Sequence, residues 1–334
     1  MGVTDIRKVL NHEFSSIRPD ISRETVYRLV AEARRRRFIR LVPPLADELG
    51  RQLSGMFELP VDAIKVVNTT RADQNERVAI AAAEIAWQKI QDISLTFPRI
   101  QVKGDVRLQR PVCIGLGPGR ATLEFSKHLS LLLESAANLP DLSLVSITAG
   151  CPARFPEYAP VSFFNLFPRR VVASQIGLFA ETIVPARELP VIAKRPGARE
   201  AFEVKRDIDI VVTSMGDFED EHDLLSLFLR EAGQSPDYWQ KRGYVGDVQY
   251  RPYTLTGPVR EEPDEFRAVT LFDLEELTQL AAQRNKHVIL IARACGLCGT
   301  TKARALRPLL DRKNNLRVFS TVVIDSSTAL QLAQ

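Results

Sequence analysis

A glycine-rich segment is the part of the sequence that most directly predicts a binding site. Residues 112–122 read Val-Cys-Ile-Gly-Leu-Gly-Pro-Gly-Arg-Ala-Thr, which is typical of a strand, a glycine loop and the start of a helix. Glycines let backbone N–H groups approach an anion, and a helix N-terminus adds partial positive charge. Arg120 and Thr122 offer further donors. We therefore expect this segment to bind a phosphate, although a tight turn without a ligand has the same pattern.

A dinucleotide is the main competing ligand for such a loop. Gly115, Gly117 and Gly119 alternate with single residues, which is not the spacing of the dinucleotide-binding fingerprint. The next predicted strand, 142–148, is followed by Ala149-Gly150 and lacks the acid that binds a ribose hydroxyl. A phosphate site therefore fits the segment better.

Cys295 and Cys298 form a Cys-x-x-Cys pair between a predicted strand and a predicted helix. A helix N-terminus lowers the pKa of a thiol, so the pair could act in redox chemistry or supply half of a metal site. The sequence has no second such pair, and its only imidazoles are His12, His128, His222 and His287. We therefore interpret the cysteines as small residues in a ligand loop and expect neither a metal nor a cofactor.

The first 42 residues carry an excess of positive charge. They contain ten Lys or Arg and five Asp or Glu, whereas the rest of the chain holds 35 basic and 36 acidic residues. A basic segment on a nearly neutral body indicates a polyanionic partner for that segment, with a solvated helix face as the alternative.

A helix is predicted from Ser22, a good N-cap, to about Arg37. Its apolar stripe consists of Val26, Leu29, Val30 and Ala33. The DNA-binding candidates near its start are Ser22, Arg23, Thr25, Tyr27 and Arg28. A recognition helix places its N-terminal side chains on base edges in this way, and Arg35 lies in an arginine run suited to phosphates.

A helix-turn-helix also requires a helix ahead of the recognition helix. Residues 4–14 could form it, but residues 15–21 are long for a tight turn and include Pro19. Three residues precede Thr4, so the first helix of a three-helix unit is missing from the pattern. We expect this segment to contact DNA without folding independently.

Pro43-Pro44 is the first break that a helix does not cross comfortably, so we place a small helical segment at 1–42 and a large domain at 43–334. Short β-branched runs in the large domain predict strands at 63–67, 112–116, 142–148, 208–214, 288–293 and 318–324. Predicted helices lie at 45–53, 71–93, 121–136, 274–284 and 301–310. This alternation is typical of an α/β domain with a mainly parallel, Rossmann-like sheet.

Composition excludes several other classes of protein. No apolar run is long enough to span a bilayer, and residues 1–8 lack the apolar region of a secretory signal. Four cysteines in 334 residues are too few for a disulfide scaffold. We therefore expect a cytoplasmic protein with no membrane partner.

Five segments, taken in order, resemble the SorC family of sugar-responsive bacterial regulators. Residues 21–41 are similar to the end of that family's DNA-binding region, and Pro-Leu-Ala-Asp-Glu-Leu at 44–49 to the start of its effector domain. Residues 207–216 resemble its central strand. Gly-Tyr-Val-Gly-Asp-Val at 243–248 resembles its most recognisable block. The region from Val288 through Lys302 to Asp-Ser-Ser-Thr-Ala at 325–329 is similar to its closing pattern.

The resemblance implies a fold related to sugar-phosphate isomerases and a homo-oligomer, either a dimer or a tetramer. By resemblance, the phosphate-binding loop contains Gly117, Gly119, Arg120 and Thr122. Asp247 matches an acid that contacts sugar hydroxyls, with a turn-capping role as the alternative, and Lys302 matches a lysine that reaches a phosphate. Pro118 and Arg120 depart from the pattern of the family's glycine loop, which leaves the identity of the sugar open, and the cysteine-containing final loop stands where the family usually has a glycine-rich one.

These observations lead to one main hypothesis and two alternatives. The main hypothesis is a transcriptional regulator whose affinity for operator DNA changes when a phosphorylated sugar binds. The first alternative is a sugar-phosphate isomerase, but no general base is paired with an acid at a defensible spacing, so we do not expect an enzyme. The second is a regulator fragment that binds the effector and holds DNA weakly.

Overall fold

The computed structural model of the chain describes residues 3–13, 20–35, 42–102, 105–136 and 140–334. The chain divides into two compact units, Met1–Val42 and Pro43–Gln334. None of the helices in these described ranges is long and apolar enough to cross a bilayer.

The described part of the small unit consists of α1 (Val3–Glu13) and α2 (Arg23–Arg35). Ser22 caps α2, because its Oγ accepts a hydrogen bond from the Thr25 N–H at 3.1 Å. Two hydrogen bonds tie α1 to Ile21: Asn11 Oδ1 accepts from its N–H at 2.8 Å, and Arg7 Nε donates to its carbonyl at 3.0 Å. The predicted extensions of these helices to residues 14 and 37 lie outside the described residues.

The large unit alternates strands and helices. Its helices are α3 (Asp47–Met56), α4 (Gln74–Thr96), α5 (Arg120–Ser135), α6 (Pro160–Phe163), α7 (Leu189–Ile192), α8 (Arg199–Val204), α9 (Leu224–Glu231), α10 (Pro236–Lys241), α11 (Leu274–Ala281), α12 (Ala303–Leu310) and α13 (Ser326–Leu332). Its strands are β1 (Ile64–Val67), β2 (Arg99–Val102), β3 (Asp105–Leu108), β4 (Val112–Leu116), β5 (Leu142–Ser146), β6 (Val172–Ile176), β7 (Ile183–Pro185), β8 (Ile210–Asp217), β9 (Tyr244–Val248), β10 (Arg251–Thr254), β11 (Gly257–Pro258), β12 (Phe266–Ala268), β13 (His287–Ala292) and β14 (Thr321–Asp325).

The main sheet has a parallel core in the order β1-β14-β13-β8-β4-β5-β6. Each strand predicted from the sequence overlaps one of these strands, so the predicted α/β fold with a mainly parallel sheet is confirmed. The strand order reverses between β4 and β8, since the chain continues from β4 towards β6 and from β8 towards β14.

Apolar side chains cover the parallel sheet on both faces. In β13, Val288 and Leu290 belong to one buried cluster, and Ile289 and Ile291 belong to another. The first cluster is completed by α11, α12 and α13, and the second by α4 and α5. A strand buried on both faces needs apolar residues at consecutive positions, which is why the strands are short β-branched runs.

An antiparallel extension, which the sequence did not predict, is attached to the carboxyl end of β8. Strand β9 pairs with β8 in the register Met215 to Val248, and β10 and β11 follow it in the same extension. Gly246 makes the approach possible, because a Cβ there would lie 2.6 Å from the Gly216 carbonyl oxygen.

The buried Asp209 links the amino ends of three central strands. Its carboxylate accepts two hydrogen bonds from Arg110, both at 2.8 Å, and one from the Cys113 N–H of β4 at 3.0 Å. Lys286, just before β13, lies 3.4 Å from the same carboxylate. The Asp209 carbonyl accepts from the His287 N–H at 2.9 Å, so both its backbone and its side chain join β4, β8 and β13.

Asp209→Ala is expected to destabilise the protein by about 3 kcal/mol, the lower end of the range for breaking a buried ion pair. The lower end applies because the Arg110 side chain is 42% exposed, so water can solvate its charge once the Asp209 carboxylate is removed. Urea denaturation measures the change. The exposed neighbour Asp207, replaced in the same way, should change stability by less than about 0.5 kcal/mol. Equal losses for the two variants would contradict the role of Asp209.

Candidate functional site

A cavity of about 350 Å³ opens at the carboxyl ends of the central strands. It lies where the strand order reverses between β4 and β8. Open α/β sheets bind ligands at such a point. Its polar and charged lining comprises Asn75, Arg120, Tyr158, Ser214, Asp220, His222, Asp223, Asp247, Gln249, Tyr250, Arg293, Cys295 and Lys302. The cavity therefore collects side chains from segments that are far apart in the sequence.

The glycine loop forms one wall of this cavity, as the sequence predicts. Gly119 adopts φ +112°, and a Cβ there would lie 2.7 Å from Ser214 Oγ, so glycine suits both the conformation and the space. Ser214 Oγ donates to the Pro118 carbonyl at 3.1 Å and fixes the loop to β8. No side chain caps the start of α5 at Gly119, so its first N–H groups remain available to an anion.

Gly117 and Thr122, two further residues predicted for this loop, support it from behind and do not line the cavity. A Cβ on Gly117 would lie 2.2 Å from Thr213 Oγ1, so only glycine allows β4 and β8 to pack there. Thr122 is fully buried, and its hydroxyl donates to the Pro118 carbonyl at 3.3 Å. Among the residues predicted for the loop, Gly119 and Arg120 are the ones that line the cavity, and their contact with a ligand stays a prediction.

Two arginines face the cavity without a carboxylate partner among the described residues. The Arg120 guanidinium carbon lies 5.2 Å from the ring centre of Tyr158, and Nη1 donates to the His222 carbonyl at 3.2 Å. Arg293 Nη1 donates to Asn75 Oδ1 and to the Ala294 carbonyl. Its Nε is buried with no partner in the described part of the chain.

Burial lowers the pKa of Arg293, and the charge of Arg120 also lowers it. A guanidinium does not deprotonate in a protein, so an anion between these cations would relieve both costs. Arg293 was not among the predicted site residues. The signal was its position as the last residue of the predicted strand 288–293, at the edge of the sheet where ligands bind.

Gln249 and Tyr250 form the turn between β9 and β10 in an unusual conformation. Both have positive φ values, 57° and 62°, although neither is a glycine. Such strain persists only when the surroundings enforce it and is frequent at binding sites. Both side-chain amide atoms of Gln249 and the Tyr250 hydroxyl are buried without a partner in the described residues. The block singled out in the sequence, 243–248, ends at Val248, directly before this turn.

Asp247 is buried, and its carboxyl group and that of a second acid, Asp223, both lie against Gly216. A Cβ on Gly216 would lie 2.0 Å from Asp247 Oδ2 and 2.1 Å from Asp223 Oδ1, so the two carboxyl groups fill the space that a side chain would need. Burial, followed by the charge of Asp223, raises the pKa of Asp247 well above its ordinary value. Burial also raises the pKa of Asp223. A raised pKa favours the protonated form, which can both donate to and accept from hydroxyl groups.

Lys302 lines the cavity, but its ammonium already has a carboxylate partner. Its Nζ lies 2.9 Å from Asp220 Oδ2, and both side chains are buried. Burial acts to raise the pKa of Asp220, but the Lys302 charge and hydrogen bond outweigh it and lower the pKa to about 2. Contact between Lys302 and a phosphate stays a prediction.

The residues predicted to contact DNA lie along the start of α2. Ser22, Arg23 and Arg28 are exposed, Tyr27 is 52% exposed, and Val26 of the apolar stripe is buried. The Arg23 guanidinium carbon lies 5.9 Å from the Tyr27 ring centre. Arg35 is the last residue of α2. The start of α2 thus presents basic and aromatic side chains to solvent, while the DNA contact itself stays a prediction.

Comparison with known proteins places this geometry among sugar-binding domains. Residues 105–334 match the family described as "Putative sugar-binding domain". The full-length sorbitol operon regulator SorC from Klebsiella pneumoniae has a similar structure, with a TM-score of 0.65 and 16% identity, over 100% of this chain and 94% of that one. The probable sor operon regulator from Shigella flexneri gives 0.62 and 17%, over 86% of this chain and 99% of that one. A search of curated proteins finds no match.

The sheet, the crevice and its polar lining define an α/β ligand-binding domain. The family match extends over more than half of the sequence, and the chain belongs to this family of sugar-binding domains. The predicted resemblance to the SorC regulators is confirmed in family and in fold.

Asp247→Asn should flatten the pH dependence of stability. Above the ordinary carboxyl pKa of about 4, the folded state keeps a proton that the unfolded state has released. Because the pKa of Asp247 is raised, the free energy of unfolding falls as the pH rises above the ordinary carboxyl pKa, until the pair ionises. Asn carries no charge, so we expect a smaller slope in urea denaturation across this range. Asp207→Asn is the exposed control, and an unchanged slope for Asp247→Asn would show that Asp247 is ionised in the folded protein.

Proposed function

We propose that this protein is a transcriptional regulator whose affinity for operator DNA is set by a phosphorylated sugar. The observation that carries the proposal is the buried Nε of Arg293, which has no hydrogen-bond partner among the described residues and lies with Arg120 in the lining of the cavity. A buried cation with an unused donor needs an anion, and a guanidinium fits a phosphate in two-point contact. The uncapped start of α5 adds further donors from the same side.

The remaining lining supports a sugar as the rest of the ligand. Asp223 and Asp247 offer one acid and one carboxylate, and Gln249 and Tyr250 offer polar atoms with no partner among the described residues. Each sugar hydroxyl both donates and accepts, so it can satisfy these groups in turn. A cavity of about 350 Å³ is at the small end of the range for ligand sites, which suits a monosaccharide phosphate.

The printed descriptions of similar structures support the regulatory role. The proteins from Klebsiella pneumoniae and Shigella flexneri are described as regulators of sor operons, and one from Listeria monocytogenes as a DeoR family transcriptional regulator. The basic segment at 1–42 supplies the charge that a DNA-binding segment requires. We propose that the chain acts in the cytoplasm as a dimer or tetramer, with two small units on one palindromic site.

An isomerase-like enzyme is the second candidate, and one observation favours it. Asp223 and Asp247 are neighbouring buried acids with raised pKa values, an arrangement that acid–base catalysis uses. Turnover of aldose or ketose phosphates, followed by NMR, distinguishes the two functions. Isomerisation lost in Asp247→Asn would establish an enzyme, while binding without turnover supports the regulator.

Phosphorylated sugars are expected to raise the melting temperature far more than the matching free sugars. Arg293→Ala should weaken phosphosugar binding by about 1.5–3 kcal/mol, because it removes a charged hydrogen-bond donor. Isothermal titration measures this loss, and Arg284→Ala, at an exposed site, is the control with the same change in charge. Equal thermal shifts from free and phosphorylated sugars would contradict the phosphate assignment.

DNA binding should depend on the small unit and on salt. Arg23→Ala should cost about 1–3 kcal/mol on the cognate site, whereas Arg35→Ala should weaken all DNA alike and reduce the salt slope by about 1. Fluorescence anisotropy on DNA from upstream of the gene measures both effects at two salt concentrations.

A chain shortened to residues 44–334 is the control for this experiment. It should lose DNA binding while keeping the phosphosugar, because the cavity is lined entirely by residues beyond 44. Equal binding by the full and shortened chains, or binding by neither, would refute the DNA-binding role and favour the effector-binding fragment.

A further inference from the structure

Two loops at the edge of the cavity bring four metal-binding side chains together. The loop between β8 and α9 supplies Asp220 and His222, and the loop between β13 and α12 supplies Cys295 and Cys298. One ligand atom from each residue lies within 4.8 Å of all the others. The two pairs are more than 70 positions apart in the sequence, so the fold alone creates the group.

The distances fit a tetrahedral centre. With zinc bonds of about 2.0 Å to nitrogen or oxygen and about 2.3 Å to sulfur, ligand atoms lie about 3.3–3.8 Å apart. Cys295 Sγ is 3.8 Å from His222 Nδ1, and Cys298 Sγ is 3.4 Å from Asp220 Oδ1. His222 Nδ1 and Asp220 Oδ1 are 3.5 Å apart. Three edges of the group thus match a zinc tetrahedron.

The surroundings hold these ligands in place. Asp220 Oδ2 accepts from Lys302 Nζ at 2.9 Å, which leaves Oδ1 facing the group. The backbone N–H groups of Leu297 and Cys298 donate to the Cys295 sulfur and orient it, while burial raises the pKa of this thiol, so the metal itself must displace the proton. The Gly299 N–H closes the turn on the Cys295 carbonyl at 2.9 Å. Outer hydrogen bonds of this kind orient the ligands of metal sites.

We propose that Asp220, His222, Cys295 and Cys298 bind one zinc ion as a closed structural site. Two thiolates, an imidazole and a carboxylate form a four-ligand set that zinc accepts, with no position left for water. Binding releases the two thiol protons and changes no oxidation state. The ion fastens the loop after β8 to the loop after β13, both of which line the cavity. This proposal does not depend on the identity of the effector.

The test uses the full-length protein, purified with a thiol reductant, stripped with chelator and reloaded with Zn²⁺ or Co²⁺. We expect one zinc per chain by elemental analysis, and zinc should raise the melting temperature. The cobalt form should show the visible bands of a tetrahedral centre together with thiolate-to-cobalt charge transfer. These spectra are recorded on the unaltered chain, so the result does not depend on whether a variant folds.

Variants assign the ligands. Cys295→Ser combined with Cys298→Ser should abolish stoichiometric zinc, and His222→Ala should remove the shift in melting temperature. Lys302→Met should lower zinc affinity about 10–100-fold, as loss of a group that orients a ligand does. Cys151→Ser is the matched control, because Cys151 is a free, partly exposed cysteine outside the group and its loss should leave one zinc bound.

Three outcomes would overturn the proposal. The first is zinc binding no higher in the unaltered chain than in the double cysteine variant. The second is a cobalt spectrum without thiolate charge transfer. The third is a Cys295–Cys298 disulfide that persists under reductant and prevents loading, which would make the pair a redox group.

Discussion

Asp209 fixes the relative positions of the three strands on which the site depends. Its backbone bonds to β4 and β13, and its carboxylate holds Arg110, the Cys113 N–H and Lys286. Parallel strands aligned at their amino ends point their carboxyl ends towards the same edge of the sheet. The loops that follow β4, β8 and β13 therefore lie at that edge, and their side chains line one cavity. An ionic contact outside the site thus determines where the ligand groups lie.

The cavity divides its charges between two sides. Arg120, Arg293 and the start of α5 supply positive charge, whereas Asp223 and Asp247 supply two buried acid groups with raised pKa values. A ligand with an anionic end and a hydroxylated end satisfies both sides, and a uniformly charged ligand leaves one side unsatisfied. Lys302 contributes no net positive charge here, because Asp220 neutralises it. The polarity of the lining therefore defines the orientation of a ligand as well as its class.

Local signals in the sequence predicted the main helices and strands. Contacts between distant segments determined which side chains meet in the cavity. The strand, glycine loop and helix at 112–122 were predicted correctly because each signal lies within a few neighbouring residues. Arg293 was missed because its contact with Asn75 joins positions 218 residues apart. His222 meets Cys295 only through the fold, so the cysteine pair lacked its neighbours in the sequence. The extension β9–β11 was missed because its pairing with β8 has no local pattern.

The first strand along the chain, β1, pairs with the last strand, β14. Strand β1 lies along β14, and Ser326 Oγ donates to the Thr69 carbonyl at 3.1 Å across 257 residues of sequence. Contacts of such high sequence separation slow folding, because a long loop must close before they form. During synthesis, β1 emerges early and remains an unpaired edge until residues 321–325 have been made. The nascent chain therefore carries an unpaired strand edge while the residues between β1 and β14 are being made, and unpaired edges are prone to aggregation during folding.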